Sequence, residues 1–138
     1  MGFLDALLKK SGSSGGRGGE GVDPDSLPKD PKALQELAFQ KKAKGDAIGA
    51  ASLALEAAKA HKAAGFNQKA VAVLKSAAQW DATRAEVFEL LAQTYLEMKL
   101  KEDARGAFLV LKKIYLAGRK GDDVTRIEAK IAELGPGR

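Results

Sequence analysis

The stretch from Ala85 to Gly118 reads as two helices joined by a short polar turn, and Ala51 to Arg84 falls onto it at an offset of 34 residues. At that offset Ala57 meets Leu91, Ala58 meets Ala92 and His61 meets Tyr95. In the second half of each unit Ala70 meets Ala104, Leu74 meets Phe108 and Ala77 meets Leu111. A fixed period of this size marks stacked helical hairpins, in which each unit needs its neighbour to bury its apolar face. The remaining segments then cap that stack or tether it.

The flanking sequence predicts further helices. Asp30-Pro31 supplies an N-cap acceptor followed by proline at the first helical position, and Leu34, Leu37 and Ala38 form the inward stripe of helix 1. Gly45 ends it and Asp46 caps helix 2, about residues 47 to 64, which contains nine alanines that let neighbouring helices approach closely. Gly65 stops helix 2, and Asn67 is the expected cap of helix 3, which buries Ala70, Val71, Leu74, Ala77 and Ala78. Thr83 and Glu86 have the spacing of a capping box for helix 4, with Val87, Phe88, Leu91, Ala92 and Tyr95 on one side. Helix 5, about 101 to 117, turns Ala104, Phe108, Leu111 and Ile114 or Tyr115 inward. Gly118 and Gly121 bracket the next turn, and helix 6 carries Val124, Ile127, Ile131 and Leu134 before Gly135-Pro136. No segment has the alternation of a half-buried strand. The expectation is all-α: a short α-solenoid of about six antiparallel helices behind a flexible N-terminal extension.

Three parts follow from the pattern: residues 1–10, 11–30 and 31–136. The first, GFLDALLKK, sets Phe3, Leu4, Leu7 and Leu8 at helical spacing with Lys9 and Lys10 at its C-terminal end. So short a helix forms only where something covers its stripe: its own domain, another protein or a membrane surface. Four such side chains at about 2 kcal/mol each bound the contact at about 8 kcal/mol before ordering. The second part is glycine-rich, six of the ten residues from Gly12 to Gly21 being glycine, and reads as a flexible tether.

Bulk properties narrow the function. Cysteine is absent, so no disulfide framework or thiolate metal site is available, which suits a reducing, cytoplasmic setting. No run approaches a membrane span, and no signal peptide is visible. The net charge of +5 is moderate; residues 31–138 hold 19 basic and 13 acidic side chains, which allows an acidic partner without requiring one.

These repeats resemble the tetratricopeptide repeat. Its signature of a large residue, Leu-Gly or Leu-Ala and an aromatic, then Ala, a large residue and Ala, is offered in the second unit by Phe88, Leu91-Ala92, Tyr95, Ala104, Phe108 and Leu111. The first unit offers Ala54, Ala57-Ala58, His61, Ala70, Leu74 and Ala77. The family's closing proline is replaced by Ala82 and Leu116. The resemblance covers about residues 31 to 134, and two pairings suit it: helices 1–2, 3–4 and 5–6, or 2–3 and 4–5 with 1 and 6 as caps. It implies a groove lined by the first helix of each hairpin, which receives a peptide or helix of another protein. On helices 2 and 4 that groove would present Leu55, Lys59 and Lys62, then Glu89, Gln93 and Leu96. Glu89 and Gln93 replace the Lys and Asn with which family members clamp a chaperone's C-terminal carboxylate, so a chaperone-tail ligand is disfavoured.

Chemistry finds little purchase. The one histidine, His61, sits where the repeat places a ring and reads as a packing residue. Asp122-Asp123 reads as a helix N-terminal pair, and the glycine-rich segment lacks the Lys-Ser/Thr of a phosphate loop. No catalytic residue, metal, cofactor or small-molecule substrate is implied. Lysine clusters such as Lys41, Lys42 and Lys44 fit helix C-termini, and a nucleic-acid surface would add exposed aromatics or a recognition helix. The leading expectation is a non-catalytic adaptor or scaffold: the repeat binds one partner protein, and the tethered Phe3, Leu4, Leu7 and Leu8 bind a second protein or a membrane. The alternatives are a structural subunit of a larger assembly and a nucleic-acid-binding helical repeat.

Overall fold

The computed structural model describes residues 27–135. These form six helices: α1 (Pro31–Ala43), α2 (Ala47–Ala63), α3 (Asn67–Trp80), α4 (Ala85–Glu97), α5 (Lys101–Ala117) and α6 (Gly121–Glu133), with no strand among the described residues. Residues 1–26, including Phe3, Leu4, Leu7, Leu8 and most of the expected tether, lie outside them. Leu27, within the expected tether, packs partly buried against the core.

Two helix starts follow the sequence expectation. The Asp30 carboxylate accepts the Ala33 N–H at 3.0 Å ahead of Pro31, and the Asp46 carboxylate accepts the Gly49 N–H at 2.8 Å. Two do not. Asn67 is the first residue of α3, and its N-cap is Phe66, whose side chain makes no cap hydrogen bond. The capping box at Thr83 and Glu86 is absent because Asp81 takes both Thr83 donors, the N–H at 3.4 Å and the hydroxyl at 3.2 Å. A carboxylate two residues upstream outcompetes the box with a local turn, and α4 begins after Arg84.

One device joins four of the five helix pairs. After α2, the Phe66 N–H donates to the His61 carbonyl at 2.8 Å and the Gly65 N–H to that of Lys62 at 2.9 Å. This is the six-to-one and five-to-two pattern of a Schellman motif, and its last residue serves as the N-cap of the following helix. The same pair of bonds recurs at Gly45-Asp46, Lys99-Leu100 and Arg119-Lys120. The left-handed residue is glycine in the first two turns, with φ 93° at Gly45 and 88° at Gly65. In the later two it is Lys99, φ 65°, and Arg119, φ 59°; Gly118, the expected turn glycine, is not left-handed. The α3–α4 connection alone lacks the device and turns through Asp81. That break sets α1–α3 apart from α4–α6.

The helices stack in two layers. Phe39 of α1 meets Trp80 of α3 edge-on, with ring centroids 5.2 Å apart. In the other layer Arg84 at the start of α4 donates to Ser52 of α2 at 2.8 Å, and Arg126 of α6 donates to Glu89 of α4 at 2.7 Å. Between the layers runs the apolar seam. Every residue of the six pairs that the 34-residue offset aligns is buried, His61 included. Packing is densest among α1, α2 and α3 and thins at the α3–α4 and α5–α6 junctions.

Candidate protein-binding face

The face expected to receive a partner is the inner, groove-lining side of α2 and α4, and there the structure separates the six named residues. Leu55 is 3% exposed and belongs to the core, so it lines no open surface. The reason is its place in the helix: Leu55 lies next to Ala54 and one turn before Ala58, among side chains too small to shield it from the seam. Its equivalent one repeat later is Glu89, which the same position leaves only half-buried.

Lys62 and Glu89 are tied to neighbouring helices. Lys62 at the end of α2 donates to Glu97 at the end of α4 across 2.6 Å. Glu89 accepts from Arg126 of α6 and, at 2.6 Å, from the Tyr115 hydroxyl of α5. Burial alone would raise the Glu89 pKa, but the hydrogen bonds from Arg126 and Tyr115 outweigh it and hold the carboxyl below its ordinary value. The Tyr115 hydroxyl is pushed up to about 12, first by burial and then by its bond to the Glu89 carboxylate. Arg126 also meets Asp123 at 3.2 Å and lies over the Tyr115 ring, 5.9 Å from its centroid.

Lys59, Gln93 and Leu96 remain outward. Lys59 makes a surface pair with Glu56 at 3.4 Å. Together with Leu27, Pro28, Leu34 and Ala60 these two residues border an open depression of about 490 Å³ beside the start of α1. Gln93 is exposed, and Leu96 is 37% exposed, an apolar side chain left in water on the same layer. The surface is therefore mixed: one aliphatic contact, an amide and a lysine, framed by ion pairs that link α2 to α4 and α4 to α6.

Sequence reading missed the partners of these ion pairs: Glu97, Arg126, Tyr115 and the Ser52–Arg84 contact. A signal was available. Ser52 and Arg84 are 32 residues apart, Lys62 and Glu97 are 35, and Glu89 and Arg126 are 37. Polar partners spaced by about one repeat mark neighbouring helices of one layer. Among the described residues no group of three or more His, Asp or Glu side chains is placed to hold a metal ion. No helix among them is long and apolar enough to cross a membrane.

The layered stack, the seam in repeat register and the recurrent hairpin turn define a TPR-like helical-repeat fold. Two solved structures share it. The Yersinia enterocolitica type III secretion translocator chaperone SycD aligns over 83% of this chain and 86% of its own, at 15% identity and a TM-score of 0.53. PcrH, solved in complex with the chaperone-binding region of PopD, aligns over 83% of this chain and 95% of its own, at 16% identity and a TM-score of 0.56. No protein-family model matches the sequence, and no curated protein matches it.

Proposed function

We propose that this protein is a non-catalytic, chaperone-like adaptor that holds a peptide or helix of another protein on the α2–α4 face. The observation that carries this reading is the shared fold with PcrH, a chain matched over 95% of its length and solved while holding a segment of PopD. The local chemistry supports it. Leu96 offers an apolar anchor, Gln93 offers amide donors and an acceptor for a partner's backbone, and Lys59 offers a charge at the rim. The pairs Lys62–Glu97 and Glu89–Arg126 act as spacers that keep the helices of the layer at fixed separation before the partner arrives, which lowers the ordering cost of binding. The tethered segment with Phe3, Leu4, Leu7 and Leu8 is the second hand of the adaptor in this reading.

A photo-crosslinking residue introduced into the full chain at Gln93 tests the proposal, with Gln79 on the exposed side of α3 as the control. Crosslinks to one defined protein segment from Gln93 and none from Gln79 are expected. Equal crosslinking at both positions, or none at either, sinks it. Leu96→Asp is expected to weaken capture of that segment about tenfold, the equivalent of about 1.4 kcal/mol of lost apolar contact.

A further inference from the structure

One end of the stack carries a feature that the α2–α4 face does not use. Phe66 and Leu100 stand at the same place in the two repeat units, each the last residue of its Schellman turn and the N-cap of the next helix. Phe66 is 50% exposed and Leu100 38%. Met98 shares an open depression with Phe66 and Lys69. The tips of both hairpins thus hold large apolar side chains out into water at one end.

Lysines surround them. The Lys69 ammonium lies 4.7 Å from the Phe66 ring centroid. Lys99 occupies the left-handed turn position that glycine fills in the preceding unit, and Lys101 opens α5. Among the described residues none of Lys69, Lys99 and Lys101 has a carboxylate partner. Of the nearby carboxylates, Glu97 pairs with Lys62, Glu102 lies 4.0 Å from Arg105 and Asp30 caps α1, which leaves Asp103 and, at the end of α6, Glu133. The end is therefore apolar at its points and positive around them.

We propose that this end of the stack docks on an anionic lipid bilayer. Protruding turn tips with a half-exposed Phe and Leu suit insertion into the headgroup boundary, whereas a groove is what holds a partner chain. The outward cations are lysines, compact charges without the fork geometry that reads one particular carboxylate, and a diffuse negative surface asks for no such geometry. Chain direction adds a third point. Helix α1 starts at this end, where Leu27 and Ala60 border one depression, and residues 1–26 precede it in the chain. They bring the apolar Phe3, Leu4, Leu7 and Leu8 followed by Lys9 and Lys10. Stable attachment takes two weak signals, and the tip itself supplies an apolar one and a basic one.

The full chain in flotation with phosphatidylcholine vesicles, with and without phosphatidylserine, tests this. Retention by the phosphatidylserine vesicles is expected, falling with added salt. It drops about tenfold or more in Phe66→Ser/Leu100→Ser and in Lys99→Glu/Lys101→Glu, with circular dichroism unchanged because all four side chains are exposed. The chain has no cysteine, so an environment-sensitive dye can be placed singly. At Gln68→Cys it should shift to the blue on vesicles, and at Ala82→Cys, on the opposite end, it should not. No flotation at low salt overturns the proposal. So does flotation that the tip variants leave intact and Leu4→Asp/Leu7→Asp abolishes, since residues 1–10 would then act alone. A tip that captures a protein and ignores vesicles assigns the surface to protein and overturns it equally. Each readout is independent of any partner on the α2–α4 face.

Discussion

His61 takes the position that Tyr95 fills one repeat later, and both are buried. The imidazole Nε2 lies 3.3 Å from Gln35 Oε1 of α1, while Nδ1 is buried without a partner. Burial, reinforced by the charge of Lys69, pulls the pKa below its usual value, against a smaller opposing pull from Asp30. A histidine that resists protonation when folded binds fewer protons than the unfolded chain. Its contribution to stability is complete above the unfolded value of about 6.5 and is lost as pH falls from there through the lower folded value. Urea unfolding across that window should show stability declining with acid, and His61→Tyr should remove that decline. The Glu89 carboxyl, held low by Arg126 and Tyr115, contributes above the ordinary carboxylate range and loses its contribution as pH drops through its folded value. Arg126 is well exposed, so the contact with Glu89 is worth no more than about 1 kcal/mol. Glu89→Gln should cost at most that much, and it should bring the Tyr115 phenol down from about 12, read by ultraviolet titration.

At the level of the helix and its turn, the four Schellman connections impose one backbone demand on four different residues. Gly45 and Gly65 meet it without strain, while Lys99 and Arg119 hold a side chain in the left-handed region. That conformation costs a non-glycine residue roughly 1 kcal/mol. Lys99→Gly should therefore raise stability by about 0.5–1 kcal/mol, and Gly65→Ala should lower it by about 1 kcal/mol. Both changes are checked by urea midpoints. A stabilising Lys99→Gly that also weakens vesicle retention would separate the structural cost of that lysine from its use.

The whole stack ends in a helix fastened by one fully buried side chain, the half-buried Ile131 and Leu134, and polar contacts. Ile127 is the one fully buried side chain of α6 among the described residues. Around it, Arg126 reaches Glu89, Lys112 meets Glu128 at 3.0 Å, and Arg105 donates to the Gly135 carbonyl. In a quasi-linear stack each helix answers chiefly to its neighbours, so the terminal one opens first. Ile127→Ala should cost about 2–4 kcal/mol. Hydrogen exchange should show the loss concentrated in α6 and the end of α5, with α1 to α3 protected as before. Uniform loss of protection would mean that the stack unfolds as one body.

The apolar seam was legible before any coordinates, because the pairs Leu74–Phe108 and Ala77–Leu111 repeat at a fixed offset and all four residues are buried. Helix starts at Asp30 and Asp46 were legible for the same reason: a cap is a contact over three residues. The alternation of apolar and polar side chains is local information, and a helix expresses it wherever it packs. Tertiary structure alone decided that Leu55 turns inward while its counterpart Glu89 joins Tyr115 and Arg126, and that Lys62 is tied to Glu97. It also gathered Phe66, Met98 and Lys69 at one end. Those partners come from different helices, and only the stacking distance and rotation of one hairpin on the next bring them within reach.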